Sequence, residues 1–321
     1  MAMKFAKQSL EQAEGIQGAA PRVIAHTNIG IVNLAVGNLS SAREDFERAL
    51  ALSARGGYDF QRLAWCWDPG VVCRSFMSWA LLALGYPKQA LKQSRLAVAE
   101  ARRLSHPLSL ASALAISGVF AYLRRSPQAL RKSAEALIPL AHEQGFRYHA
   151  VTGRFYDGLI QVQRGHVDEG LALLRESLGA YRLGGDEDWL SRTLLMIAET
   201  HHQAQRADEA WDLLGEALER VEHKNERCFE AEIHRLRGEV LLSLSRSDQA
   251  EECFHQALAA ARDQKAKLWE LRAVISLARL RRDRAKRCEA RDLLAPVYGW
   301  FTEGFDTADL KDAKALLDEL G

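Results

Sequence analysis

The 321-residue sequence contains few prolines, few cysteines, little net charge and no long apolar run. With only 7 prolines, long helices can continue without interruption. The five cysteines are odd in number and scattered, and no C-x-x-C pair occurs, which argues against a disulfide framework and against a zinc knuckle. This cysteine content fits a reducing cytoplasm best.

Net charge and hydropathy narrow the class of protein further. The 43 Lys and Arg residues nearly balance the 42 Asp and Glu residues, so there is no overall basic surplus for nucleic acid. The most apolar stretch, residues 109–123, is too short to span a bilayer, and the first five residues lack the apolar core of a signal peptide. We therefore expect a cytoplasmic protein with no nucleic-acid partner and no membrane partner.

The dominant feature of the sequence is a repeat. Two small residues twelve positions apart recur along the chain, and in a tetratricopeptide hairpin such residues lie where helix A and helix B cross most closely. The pairs are Gly30/Ala42, Ser78/Ala90, Ser117/Ala129, Gly158/Gly170, Ala198/Ala210, Gly238/Ala250 and Ala278/Ala290. The second members follow one another at steps of 48, 39, 41, 40, 40 and 40. The period is thus close to 40, longer than the roughly 34 of the common tetratricopeptide.

Helix B also carries a regular apolar position. Four residues after the second small residue, most hairpins have a large apolar side chain, which gives helix B a face of helical period. These residues are Phe46, Leu174, Leu214, Phe254 and Leu294, with Ser94 and Ser133 as exceptions. Turn signals lie between the helices, as at Gly37-Asn38, Gly85-Tyr86-Pro87, Ser126-Pro127 and Gly165-His166. We predict an all-α protein, a right-handed superhelical solenoid of about seven tetratricopeptide-like hairpins with a C-terminal capping helix.

Element boundaries follow from this repeat. Residues 1–20 are predicted to be an N-terminal helix, either a remnant of a preceding hairpin or a cap, which suggests a piece cut from a longer chain. Residues 21–321 are the predicted solenoid, with hairpins near 22–54, 70–104, 107–143, 147–183, 187–223, 226–264 and 267–302 and a capping helix at 307–320. The connection 58–70 is irregular and contains Trp65-Cys66-Trp67. We interpret these aromatic residues as filling, with ligand binding as the alternative.

Several short runs resemble a known family. They are Asp68-Pro69-Gly70-Val71-Val72-Cys73, Trp79, Leu84-Gly85-Tyr86-Pro87, Ser105-His106-Pro107, Glu143-Gln144-Gly145-Phe146 and the ending 293–307, which reads LLAPVYGWFTEGFDT. From about residue 25 to the end, the chain resembles the C-terminal tetratricopeptide region of bacterial multidomain predicted ATPases. In that family the region often follows a class III adenylate or guanylate cyclase domain and a signal-transduction ATPase domain.

The resemblance implies a regulatory or sensor region, comparable to the superhelical domain of MalT-like regulators. The upstream ATPase and cyclase domains of the parent chain would then be partners. No catalytic residue of those domains is carried over, because the sequence has no G-x-x-x-x-G-K-[ST] phosphate loop and no strand-borne pair of aspartates for metal ions.

Other residues give only weak signals for metal binding or catalysis. His201-His202 with Glu199 lacks the spacing of four that places two ligands on one helical face. Cys253, near His255, reads as a small buried hydrophobe rather than a nucleophile. We therefore expect no metal, no cofactor and no enzymatic activity. The basic run 279–287 reads as a solvated turn, with binding of phosphate or an acidic partner as the alternative.

Equivalent positions of successive helices A should form rows on the concave face. The candidate partner-binding residues on these rows, with a neighbouring histidine, are Trp79, Phe155, Leu159, Arg192, Glu199, His202, Arg235 and Glu239. The rows are apolar in the N-terminal half and charged in the C-terminal half. A self-satisfying ladder would explain Arg192, Glu232 and Arg272, but it does not explain Glu199 beside Glu239.

The sequence therefore favours a non-catalytic binding module whose concave face receives a protein or peptide segment, apolar at one end and basic at the other. The alternative is a sensor of a small-molecule effector inside the superhelix. Self-association is a further possibility that the sequence leaves open.

Overall fold

The computed structural model describes residues 2–16, 19–54, 67–185 and 188–321. These ranges contain sixteen α-helices, one short 3-10 turn at Arg227–Phe229 and no β-strand. The all-α prediction and the tetratricopeptide-like hairpins are thus confirmed. None of the described helices combines the length and the apolar character needed to cross a bilayer.

Fourteen of the helices form hairpins, and α1 and α16 flank them. Prolines occupy the first position of α4 to α7, where the missing N–H costs no hydrogen bond. The helices are α1 (Ala2–Glu14), α2 (Ala20–Ala35), α3 (Leu39–Ala54), α4 (Pro69–Ala83), α5 (Pro87–Arg103), α6 (Pro107–Leu123), α7 (Pro127–Glu143), α8 (Arg147–Gln163), α9 (Val167–Gly184), α10 (Leu190–Gln203), α11 (Ala207–Lys224), α12 (Glu230–Ser243), α13 (Ser247–Asp263), α14 (Lys267–Asp283), α15 (Arg287–Gly299) and α16 (Ala308–Leu320).

The turns between helices follow a strict spacing of twenty residues. One residue in the left-handed backbone region ends each helix from α4 to α14, and at several turns the next N–H bonds to a carbonyl five residues back, as when Arg206 bonds to His201. These residues are Gly85, Ser105, Arg125, Gly145, Gly165, Gly185, Gln205, Asn225, Ser245, Lys265 and Ala285. A helix with its turn therefore takes twenty residues and a hairpin takes forty, as the period predicts.

The small residues lie at the helix crossings, as the repeat predicts. In the α8/α9 hairpin, a Cβ added to Gly170 would lie 2.6 Å from the carbonyl oxygen of Gly158, so the two backbones are nearly in contact. In the α12/α13 hairpin, a Cβ added to Gly238 would lie 2.4 Å from the ring of Phe254. Side chains larger than these would push the helices apart.

The chain forms two compact units. Unit 1 comprises residues 1–82 and 89–186, and unit 2 comprises residues 83–88 and 187–321. Within unit 1, helix A of one hairpin also packs on helix A of the next, as α6 packs on α8. Within unit 2, α10, α12, α14 and α16 pack in the same way. Each row of helices A therefore brings equivalent positions side by side.

Hydrogen bonds between the first helices of successive hairpins (helices A, the even-numbered helices) recur at a spacing of 37 residues, and α16 takes part in the same way. They are Trp79 Nε1 to the Ile116 carbonyl at 3.2 Å, Ser112 with His149 at 3.2 Å, Ser276 with Glu239 at 2.5 Å and Arg272 with Asp309 at 2.8 Å. Since 37 is one period less about one helical turn, each bond joins a residue to the position about one turn before its equivalent in the next hairpin or in α16.

Segment 83–88 contacts the last loop of unit 2. The rings of Tyr86 and Trp300 meet edge to face, with centroids 5.8 Å apart. The Lys88 backbone N–H donates to Glu303 Oε1 at 2.8 Å. Two of the runs that carry the family resemblance, 84–87 and 293–307, are therefore in contact. The irregular connection is described only from Trp67, so Trp65 and Cys66 lie outside the described residues.

Candidate partner-binding site

The three apolar candidates are in the interior of unit 1. Trp79 on α4 is 2% exposed and packs edge-on against Phe76, with ring centroids 5.2 Å apart. Phe155 and Leu159 on α8 are each 3% exposed. A partner would reach these side chains only if they left their present positions, so their role as anchors stays a prediction.

Unit 2 contains a buried network of charges on its helices A. Glu232 of α12 accepts from Arg235 Nε at 3.0 Å and from Arg272 Nη1 of α14 at 2.9 Å. Burial would raise the pKa of Glu232, but the two guanidinium groups outweigh it and lower the pKa to about 2. The same carboxylate raises the pKa of Arg235 against the effect of burial. Glu232 and both arginines are therefore fully charged at neutral pH.

The network continues into the capping helix. Arg272 forms a bidentate pair with Asp309 of α16, with Nε–Oδ1 at 2.8 Å and Nη2–Oδ2 at 3.0 Å. Its guanidinium also lies over the ring of Trp269, 4.9 Å from the centroid. Arg272 thus links three successive helices A, and the Glu232–Arg272 contact is one step of the ladder that the sequence suggests.

Two carboxylates lie at the solvent edge of this network. The Glu239 side chain is 28% exposed, accepts from Ser276 Oγ and lies 3.8 Å from Arg235 Nη1. Glu199, partly exposed on α10, also raises the pKa of Arg235. We call Glu199, Arg235 and Glu239 the acidic rim. Both rim carboxylates raise the pKa of Arg235, and both are partly exposed.

The two remaining candidates lie on α10. The Arg192 guanidinium is close to Thr193, with Nη2–Oγ1 at 3.3 Å. His202 is partly exposed near the C-terminal end of the helix, whereas its neighbour His201 is buried. Glu199 and His202 are three residues apart, so they share one face of α10.

Sequence reasoning missed Asp309, Ser276 and Trp269 as members of this network. Asp309 and Ser276 are 37 residues from their partners, and complementary polar residues at that spacing are a signal visible in the sequence. Trp269 has no such signal, because it stacks on a residue three positions away in its own helix.

Two cysteines of unit 2, Cys253 and Cys228, are buried. Burial raises the pKa of the Cys228 thiol to about 12 and also raises that of Cys253. At neutral pH these two groups are protonated and act as small apolar side chains. Within the described ranges, no group of three or more His, Cys, Asp and Glu residues is arranged to hold a metal ion.

The basic run 279–287 is largely neutralised by ion pairs. Arg281 and Arg284 both contact Glu251 of α13. Arg282 pairs with Glu319 of α16 at 3.0 Å. These contacts support the interpretation of the run as a solvated turn.

Comparisons with known proteins relate the chain to helical-repeat sensors by fold. No family model matches the sequence, and no curated protein matches it. A Rap protein solved in complex with Competence and Sporulation Factor is 14% identical, with a TM-score of 0.63 over 82% of this chain and 70% of that one. The Rap conjugation gene regulator of plasmid pLS20, solved with the Phr* peptide, is 11% identical, with a TM-score of 0.59 over 94% and 76%.

A third similar structure belongs to a larger protein. It is a signal transduction ATPase with numerous domains from Pyrococcus horikoshii that carries a tetratricopeptide repeat sensor. It is 10% identical, with a TM-score of 0.51 over 99% of this chain, which spans 49% of that protein. At these identities the likeness establishes the fold, which is that of tetratricopeptide-type helical-repeat proteins.

Proposed function

We propose that the chain is a non-catalytic tetratricopeptide-type binding module that receives a peptide segment bearing Lys or Arg at the acidic rim. The observation that carries this proposal is the position of Glu199 and Glu239. The buried charges Glu232, Arg272 and Asp309 contact one another, whereas Glu199 and Glu239 are partly exposed and both raise the pKa of Arg235. A Lys or Arg side chain of a partner would reach the exposed edges of these two carboxylates and form charge-assisted hydrogen bonds with them.

Two of the similar structures support peptide recognition, since a Rap protein holds Competence and Sporulation Factor and the pLS20 regulator holds the Phr* peptide. The Pyrococcus protein joins a tetratricopeptide sensor to a signalling ATPase in one chain. Together with the family resemblance of the sequence, this supports a role as the regulatory region of a signalling ATPase or cyclase.

The test is peptide binding with paired charge reversals. Synthetic peptides graded in net charge are titrated against the chain by fluorescence anisotropy, and the tightest basic peptide is taken forward. Glu199→Lys with Glu239→Lys is expected to weaken its binding by about tenfold or more at low salt, with a smaller effect at high salt. The matched control is Glu222→Lys with Glu252→Lys, two exposed helix B positions in the same unit.

The control makes the same change in net charge away from the rim, so its affinity should stay within about twofold of the original. Equal losses in both double variants would mean that overall charge, not the rim, governs binding. Preference for acidic peptides, or no change in either variant, would remove the rim as the site.

A further inference from the structure

Hairpins of this chain normally fill the space beside the helix crossing with one large side chain. The residue four positions after the second small residue packs on the first small residue of its hairpin. A Cβ added to the first residue would lie 2.4 to 3.1 Å from that side chain, as for Gly30 with Phe46, Gly158 with Leu174 and Gly238 with Phe254.

Two consecutive hairpins of unit 1 have serine at this position. Ser94 of α5 and Ser133 of α7 are 5% and 7% exposed, and a pocket of about 480 Å³ lies beside them, between α5, α6 and α7. Ser94 Oγ donates to Ser117 Oγ of α6 at 3.3 Å. The pocket thus occupies the place that Phe or Leu takes in other hairpins, and its inner wall carries hydroxyl groups.

The mouth of this pocket is basic. Arg95, Arg102, Arg124 and Lys132 contribute to its lining, which contains no Asp and no Glu. Residues 87–133 as a whole hold nine Lys or Arg and a single acidic residue, Glu100, in a chain whose net charge is +1.

Three of the cations that line the pocket, Arg95, Arg102 and Lys132, are exposed, whereas Arg124 lies over the ring of Phe120. Glu100, the single acidic residue of the segment, pairs with Arg74 of α4 at 2.9 Å. In the part of the chain that the structure describes, these three exposed residues form no ion pair. Cations gathered without counter-ions around a recess repel one another, and an anion inside would remove that repulsion.

The remaining wall is apolar. Leu91 and Val98 of α5 line it together with Leu114 and Phe120 of α6. The volume is within the range of small-molecule sites, roughly 300 to 1,000 Å³. Hydroxyl groups, guanidinium groups and an ammonium group are the donors that bind phosphate, and the apolar wall suits a planar or hydrophobic body.

We propose that this pocket binds a phosphorylated small molecule with a planar or apolar body, the chemistry of a mononucleotide. The site is separate from the acidic rim and does not depend on the proposed peptide function. The phosphate contacts the serine hydroxyls and the basic mouth, and the body lies against the Leu114 and Phe120 wall.

The test uses AMP, 1-naphthyl phosphate and pyrophosphate as probes, each titrated by isothermal calorimetry. At least one probe is expected to bind, and Arg102→Gln with Lys132→Gln should weaken its binding by about tenfold or more. The matched control is Arg103→Gln with Arg131→Gln, two exposed cations on the same helices that do not line the pocket. Equal losses in the two double variants, or no binding of any probe, would overturn the proposal.

A filling variant tests the location independently of charge. Ser133→Leu restores the large residue that the repeat has elsewhere, so it should abolish probe binding while the helical signal and the midpoint of thermal unfolding are kept or raised. Removing the phosphate tests the chemistry, since adenosine and 1-naphthol should bind at least about tenfold more weakly than their phosphates. A Ser133→Leu protein that is folded and binds as before would exclude the pocket.

Discussion

Glu232 holds a full negative charge inside unit 2 because two arginines compensate for its loss of water. Its side chain is 5% exposed and contacts both Arg235 and Arg272. Removing one member of a buried pair leaves the others uncompensated, which costs more than the pair itself contributes. The residue is therefore a structural charge, unlike the partly exposed rim carboxylates beside it.

Glu232→Gln is expected to lower the free energy of unfolding of unit 2 by about 3 kcal/mol at pH 7. Since the pKa of Glu232 falls from 4.5 to about 2 on folding, its stabilisation is present above about pH 4.5 and is lost as the pH falls toward 2. Denaturant unfolding at a series of pH values measures both effects. Glu252→Gln, an exposed control on α13, should keep the original stability, and an unchanged acid dependence in Glu232→Gln would contradict the assignment.

His149, in unit 1, is a second residue whose protonation affects stability. It is 7% exposed, its Nε2 lies 3.2 Å from Ser112 Oγ of α6, and burial lowers its pKa to about 4. In the unfolded chain this imidazole is protonated below about pH 6.5, whereas in the folded chain it stays neutral down to about pH 4. The contribution of the neutral ring to stability is therefore complete above about pH 6.5 and is lost as the pH falls to 4.

Between pH 6.5 and pH 4 the free energy of unfolding is expected to fall by up to about 3 kcal/mol. Proton NMR of the imidazole should show a midpoint near 4, and His149→Gln should flatten the pH dependence of unfolding between 6.5 and 4. His142→Gln, at an exposed position of α7, is the control and should leave that dependence in place. A midpoint near 6.5 would show that the ring is solvated.

At the scale of helices, the turns carry strain that the repeat imposes. The left-handed residue at every twentieth position is glycine in only some turns, whereas Arg125, Lys265 and Ala285 adopt positive φ with a Cβ present. Each such residue costs roughly 1 kcal/mol relative to glycine. These turns form because the packing of the flanking helices outweighs that cost.

Ala285→Gly should therefore raise the free energy of unfolding by about 1 kcal/mol. The same substitution at Ala259, an exposed position inside α13, should lower it by about 1 kcal/mol, because glycine loses more backbone entropy in a helix. Opposite signs for one chemical change, measured by denaturant unfolding, identify the backbone conformation as the cause. A loss of stability in both variants would show that the backbone conformation of Ala285 is not strained.

The period and the crossings could be predicted from the sequence because small residues recur wherever two backbones touch. The turns could be predicted only where Gly, Asn or Pro marks them, since the turns at Lys265 and Ala285 carry no such residue. Trp79 lies on a face that the repeat predicts, but the sequence does not say how the next hairpin covers that face. Its indole bonds to Ile116 of that hairpin, so the ring is buried.

Over the whole chain, near-neutrality conceals an uneven distribution of charge. Residues 87–133 hold nine basic residues and one acidic residue, so the other residues hold 34 basic and 41 acidic ones. The acidic rim lies in the part of the chain with more acidic than basic residues, and the pocket lies within the basic segment 87–133. The net charge of +1 excludes a uniformly basic surface but not a local anion site, and for this reason composition alone did not reveal the pocket.

Binding of a nucleotide in this pocket should not lead to its hydrolysis. The lining has no Asp, Glu, His or Cys, so a bound phosphate meets no general base and no carboxylate that would hold Mg²⁺. The sequence also lacks the phosphate loop of nucleotide hydrolases.

We therefore expect neither phosphate release from ATP nor cyclic nucleotide formation when the purified chain is assayed with Mg²⁺ or Mn²⁺. The Arg102→Gln, Lys132→Gln protein separates a contaminant from a real activity, because a contaminant's turnover persists in that variant. Turnover that is present in the original chain and absent from the variant would make the pocket an active site and contradict the non-catalytic function.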